Sequence, residues 1–135
     1  MKISKNFTLE EFTHSDTAQR LKIDNAPGSE QIINLCALVH HVLQPLRDHY
    51  GQPVKISSGY RCPALNKAVG GVTRSQHMRG QAADIKIAGV APTLIADYIA
   101  NHLHYDQVII YPTFVHVSYS IQANRRHRLR GGGGK

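Results

Sequence analysis

An aspartate in the middle of an apolar strand is the feature that most restricts how this chain can fold. The run Ala82-Ala83-Asp84-Ile85-Lys86-Ile87 alternates as a β-strand does, with Ala82, Asp84 and Lys86 on one face and Ala83, Ile85 and Ile87 on the other. A carboxylate among apolar neighbours is costly unless it is ion-paired, hydrogen-bonded or bound to a metal. The two alanines leave space around it. Asp84 is therefore a functional candidate, and the rest of the chain can be searched for its partners.

Two segments offer them. Upstream, an irregular stretch carries Tyr60-Arg61, Gly70-Gly71 and then Ser75, Gln76, His77 and Gly80. Downstream, Phe114 to Ile121 reads as a strand that pairs back on Tyr105–Ile110 through a turn at Pro112-Thr113. Its alternation places Val115, Val117, Tyr119 and Ile121 on one face, and Phe114, His116, Ser118 and Ser120 on the other. His116 thus projects among small and polar neighbours. His77, Asp84 and His116 together offer two imidazoles and one carboxylate, the donor set of a catalytic zinc site with a position left for water. With nine histidines in the chain, spacing by itself would select many such triplets. Arg61 has two readings: a guanidinium forked onto a substrate carboxylate or a developing oxyanion, or one bonding loop carbonyls.

The remaining elements frame that region. Thr8 and Glu11 form a capping box that opens a short helix. After loop chemistry at Asp24–Gly28, Ser29 caps a long helix whose apolar residues Ile32, Ile33, Cys36, Val39, Leu43 and Leu46 recur at spacings of three and four. Pro45 is expected to kink it. Val54–Ser58 is a strand, Ala64–Val69 a short helix, and a further helix from Ala91-Pro92-Thr93 buries Leu94, Ile95, Tyr98 and Ile99. The expected class is α+β, a small antiparallel sheet flanked by helices. His40 and His41, adjacent on a helix, point about 100° apart and cannot easily share a metal.

Composition sets the bounds. At 135 residues, 41% apolar and 19% charged, the chain suits one folded domain rather than disorder. No apolar run reaches the roughly 18 residues a bilayer demands, and the first residues lack the apolar core of a secretory signal. Synthesis in the cytoplasm is expected, with action at the cell wall or periplasm after release or export. Cys36 and Cys62 are expected as free thiols; an incidental small residue is the plainer reading of Cys62, and a catalytic thiol the sharper one. The net charge is +7, and Arg125, Arg126, Arg128, Arg130 and Lys135 supply much of it. Residues 122–135, with the Gly131–Gly134 run, are expected as a basic, flexible tail outside a domain spanning 1–121. Such a tail either is simply solvated or contacts an anionic wall or membrane surface. No groove-reading or base-stacking motif points to nucleic acid.

The residues Ser58-Gly59-Tyr60-Arg61, Asn66, Gly70-Gly71, Ser75-Gln76-His77, Gly80, Ala82-Ala83-Asp84-Ile85 and Phe114-Val115-His116-Val117-Ser118 resemble the zinc D-Ala-D-Ala peptidase superfamily. That group includes D,D-carboxypeptidases, phage L-alanyl-D-glutamate endopeptidases and, in fold, the hedgehog signalling domain; the likeness covers about residues 30 to 121, and the length suits compact phage-type members. The resemblance implies one zinc ion held by His77, Asp84 and His116, with Arg61 anchoring substrate or oxyanion and Ser75 and Gln76 lining the pocket. It also implies hydrolysis, by metal-bound water, of a peptide bond in a peptidoglycan stem peptide; a monomer is expected. A zinc-containing but catalytically weak binding module is the alternative. One departure stands out: where many members carry an acidic base three or six residues before the last His ligand, this chain has Thr113 and Ile110. Asp106 is the nearest carboxylate and the candidate base, ahead of His104 and Tyr111.

Overall fold

In the computed structural model, which describes residues 1–131, a small hairpin of β1 (Lys2–Ser4) and β2 (Phe7–Thr8) leads into α1 (Leu9–Thr13). Glu11 accepts the Thr8 backbone N–H at 2.8 Å, as the capping box requires. Ser15 caps α2 (Asp16–Leu21) by accepting from the Ala18 N–H. The long helix is α3 (Ser29–Leu38), continued through one wide turn over Val39–Leu43 into α4 (Gln44–Tyr50). That turn has a physical cause in Pro45, which has no N–H to give the carbonyl four residues back. The chain widens instead, and the Gln44 N–H reaches Val39 O.

The core face of this helix differs from the expected one. Leu35, Leu38, Val39, Val42, Leu43 and Leu46 are fully buried, whereas Ile33 is 59% exposed and Cys36 only half-buried. The true stripe begins at Leu35, and its leucines and valines outcompete the isoleucines one helical face away. The same happens on α6 (Pro92–His102), where Ile95, Ala96 and Ile99 are buried and Leu94 is exposed.

The sheet is built from β3 (Val54–Ser58), β4 (Ala82–Ile87), β5 (Gln107–Ile110), β6 (Val115–Ser118) and β7 (His127–Arg130), in the order β3-β4-β6-β5-β7. Between β3 and β4 lie α5 (Pro63–Ala68) and a tight 3₁₀ turn, Gln76–Arg79. Ala83, Ile85, Val108, Ile110, Val115 and Val117 face the helical core. The opposite face carries a row of paired residues running across the strands: Ser58 opposite Asp84, Asp84 opposite His116, and His116 opposite Ile109.

Strand β7 corrects two expectations. The first four strands are antiparallel, but β7 runs parallel to β5, so the sheet is mixed. Residues 122–131, expected as a flexible tail, include this strand. All four of its side chains are exposed, so no apolar alternation announced it. What holds the segment is polar. Arg125 gives its backbone N–H and Nε to Asp106 Oδ1 at 2.7 and 3.0 Å, and Nη2 to Oδ2 at 2.8 Å. Arg126 donates to the Leu103 and Ala100 carbonyls at the end of α6 and lies over the Tyr105 ring. Arg128 pairs with Asp97. The Gly131 N–H bonds Ile110 O, and its Cα lies so close to Tyr111 that a Cβ would meet the ring at 2.1 Å. The rest of the glycine run, and Lys135, lie outside the described residues.

Two measurements check this description. Leu38→Ala should lower unfolding free energy by about 2–5 kcal/mol and Ile33→Ala by less than about 0.5 kcal/mol; equal costs in urea titrations would overturn the assigned helix face. The second concerns Asp106, whose pKa the Arg125 hydrogen bonds hold down, from 3.8 to about 2. A depressed carboxylate contributes stability that is present above its unfolded value and lost as pH falls through the folded one. Arg125→Ala should therefore cost roughly 1–2 kcal/mol at neutral pH, allowing for the exposure of Arg125, with the gap closing between about pH 4 and pH 2. A gap that is independent of pH would count against the pair.

Candidate metal centre and pocket

Asp84 receives its partners from three directions. From the adjacent strand β6, His116 brings Nδ1 to 3.0 Å from Asp84 Oδ1. From the 3₁₀ turn, His77 brings Nε2 to 3.4 Å from the same oxygen. From the loop after β3, Arg61 places Nη2 3.7 Å from Oδ2. Burial pushes the Asp84 carboxyl up, but the His116 hydrogen bond and then the His77 ring beside it outweigh it and hold the group well below the usual range. Burial lowers His77 in turn, against the opposing pull of Asp84.

Local backbone structure fixes the His77 ring. Ser75 Oγ accepts from the His77 N–H at 3.2 Å and starts the turn; Gly80, in the left-handed region at φ 74°, ends it. A Cβ at Gly80 would meet Gln31 O at 2.4 Å, so glycine is required both by the angle and by the approach to α3. Gly59 O lies 2.7 Å from His77 Nδ1. A carbonyl can only accept, so Nδ1 carries the proton and Nε2 presents its lone pair toward Asp84. That carbonyl support is the arrangement by which a metal-ligating imidazole is oriented. One donor atom from each of His77, Asp84 and His116 lies within 4.8 Å of the others. The set therefore fits a divalent ion: two neutral nitrogens and a carboxylate oxygen, with one tautomer already fixed.

These three residues line a cavity of about 240 Å³ together with Arg61, Val72, Arg74, Ser75, Gln76, Gln107, Ile109, Tyr111 and Phe114. Arg61, Ser75 and Gln76, the residues the resemblance implied at the pocket, lie on this cavity wall. Arg61 is largely buried, with Nε on Ser58 Oγ at 3.1 Å and Nη1 on Asn66 Oδ1 at 3.2 Å. Burial lowers its pKa and Asp84 opposes the shift. Arg61 braces its own loop, with side-chain rather than carbonyl partners, and borders the cavity.

Asp106 is the expectation that fails. It is only 2% exposed, does not line the cavity, and has both oxygens engaged by Arg125, with Gln76 Nε2 also on Oδ2 at 2.9 Å. The reason is strand parity. Gln107 and Ile109 share the His116 face of the sheet, which puts Asp106 with Val108 and Ile110 on the other. Asp106 instead steadies Gln76, next to His77. His104 is exposed and away from the cavity, and Ile110 is buried in the core. Tyr111, stacked on Phe114 at 4.5 Å, does reach it; burial, and then the charge of Asp84, keep its hydroxyl protonated. Gln107 and Ile109 are not among the expected site residues, though alternation along β5 could have found them, whereas nothing periodic points to Val72 or Arg74. Cys36 and Cys62 are free thiols.

The metal assignment has a direct measurement. Protein dialysed against zinc should carry about one ion per chain by elemental analysis, and His77→Ala or Asp84→Ala should lose it. Stoichiometric metal retained in either variant would refute the ligand set.

Among the described residues no helix is long and apolar enough to cross a membrane. A search of curated proteins finds no match to the chain. The family described as Peptidase M15 matches residues 5–118, starting well before the motifs that carried the resemblance and ending at the last residue of β6. The match spans most of the chain and takes in all three metal-site residues, so the chain belongs to the Peptidase M15 family.

Proposed function

We propose that the protein is a zinc peptidase that hydrolyses a peptide bond next to a D-amino acid in peptidoglycan stem peptides. The observation that carries this reading is the His77–Asp84–His116 group at a cavity walled by Arg61, in a chain of a peptidase family. His77, Asp84 and His116 would hold the zinc, which when bound would supply a Lewis acid and bring the pKa of its water toward neutrality. The chain's own residues do the rest. His77 is held by Gly59 in the tautomer that leaves Nε2 unprotonated. Arg61, pinned by Ser58 and Asn66, is a fixed cation where a carbonyl oxygen would gain negative charge, and its rigidity means little rearrangement is needed as that charge develops. Tyr111 is a protonated hydroxyl on the wall, able to donate but not to accept a proton at neutral pH. The cavity volume suits one or two residues rather than a long segment.

The binding-module reading has its own support. Asp84 is the only carboxylate among the residues lining the cavity, and it belongs to the metal group. The tail gives less to a wall-contact role than its composition promised. Arg125, Arg126 and Arg128 are engaged within the fold, leaving Arg130 as the arginine of that run with neither an ion pair nor a side-chain hydrogen bond among the described residues.

Purified peptidoglycan treated with the zinc-loaded protein should yield new amine-terminated fragments by mass spectrometry, and a chelator should suppress them. Arg61→Ala should lower kcat by about 10²–10³-fold. Stoichiometric zinc with no cleavage of D,D- or L,D-linked substrates would favour the binding module instead.

A further inference from the structure

The cavity wall carries two guanidiniums, and they are held differently. Arg61 is 12% exposed, with Nε closed by Ser58, Nη1 occupied by Asn66 and Nη2 turned to Asp84. Arg74 lies in the turn closed by the Ser75 N–H on Val72 O, immediately before the residue that caps the His77 turn. It is exposed, lines the cavity, and forms no ion pair or side-chain hydrogen bond among the described residues. All of its donors are therefore available.

The charge around it is unbalanced. Asp84, the one carboxylate lining the cavity, is already shared by His116, His77 and Arg61. Asp106 is turned away and matched by Arg125. A divalent ion would add to the surplus of positive charge. A ligand that complements this wall brings an anion, and a planar guanidinium with unspent donors favours a carboxylate taken by two parallel hydrogen bonds.

Resting on the peptidase reading above, we propose that Arg74, rather than Arg61, is the specificity residue that captures a free carboxylate on a residue flanking the scissile bond. Arg61 cannot easily do this without giving up the contacts that hold its loop. Arg74 can, at the cost only of ordering an exposed side chain. The substrate class is then narrowed to stem-peptide bonds with an ionised carboxylate next to them, either a C-terminal acid or the free carboxyl of an internal acidic residue.

The test compares matched peptides: one ending in D-Ala-D-Ala as free acid or C-terminal amide, and one with an L-Ala–D-Glu bond or the same bond with the D-Glu carboxyl amidated. Zinc-loaded wild type should favour the acid member of the pair it cleaves by about tenfold or more in kcat/KM. Arg74→Ala should remove that preference, with the change falling on KM, while Arg74→Lys should keep part of it; melting temperatures show that both variants fold. An acid preference that survives in Arg74→Ala, or that disappears only in Arg61→Ala, would overturn the assignment. Failure of wild type to cleave any of the four peptides would overturn the peptidase reading instead. Calorimetric binding of the acid and amide peptides to wild type and Arg74→Ala then decides on Arg74 separately, an unchanged acid-over-amide ratio counting against it.

Discussion

The structure depends on neutralising one carboxylate. Asp84 lies on the second strand of the sheet, flanked by Ser58 and His116 in register, and its oxygens sit among groups that water does not freely reach. Burial by itself would favour the protonated acid, but the His116 hydrogen bond and the neighbouring His77 ring reverse that balance. The segment between β3 and β4 is shaped to deliver His77, together with Arg61. Gly59 O holds the His77 ring, and the Arg61 N–H bonds His77 O at 3.1 Å, so the residues bearing imidazole and guanidinium are tied to each other before either meets Asp84. Gly80 lets the same loop pass against α3. A loop with no apolar periodicity thus has a single conformation, because its polar groups have defined partners.

What could be read from the sequence follows from this. Period-two alternation gave the faces of β4 and β6 correctly, since each has one face in the core, and it put Asp84 and His116 on the side that became the site. The same rule along β5 separates Gln107 and Ile109 from Asp106, yet the lack of an acid at Ile110 and Thr113 drew attention to Asp106 in spite of its parity. On α3 two apolar stripes competed. The choice between Ile32–Ile33 and Leu35–Leu38 is made by packing against the sheet, which no local pattern contains. Strand β7 was illegible for a different reason. An edge strand with four exposed side chains is recruited by backbone hydrogen bonds and by Arg125 reaching Asp106, and both are long-range.

The arginines of the last segment also change how the charge of the chain should be understood. A net +7 concentrated near one end suggested a flexible appendage, either simply solvated or in contact with an anionic surface. In the fold those charges are distributed inward: one to a buried acid, one to the carbonyl end of α6, one to Asp97. The cation that borders the cavity with no ion pair or side-chain hydrogen bond among the described residues, Arg74, comes from the middle of the chain. On the proposed reading, electrostatic recognition would therefore rest with the cavity wall more than with the terminus, and would act at short range, where a guanidinium can use its geometry as well as its charge.

The same inventory bears on how fast such a site can work. The groups around the cavity are rich in donors and fixed positive charge, the means by which an enzyme stabilises developing negative charge. They are poor in proton acceptors: Asp84 is occupied, and Tyr111 is held protonated by burial and by Asp84. Removing an acid–base catalyst costs about 10²–10⁴ in rate, against total accelerations of about 10⁶ or more. Electrostatic stabilisation and orientation supply much of the remainder. An M15 chain without the usual carboxylate is thus expected to be slow rather than inert, and to hold its substrate well relative to how quickly it turns it over. Slow turnover with firm retention lies between the peptidase and the binding module, so the two readings differ in rate and share one site.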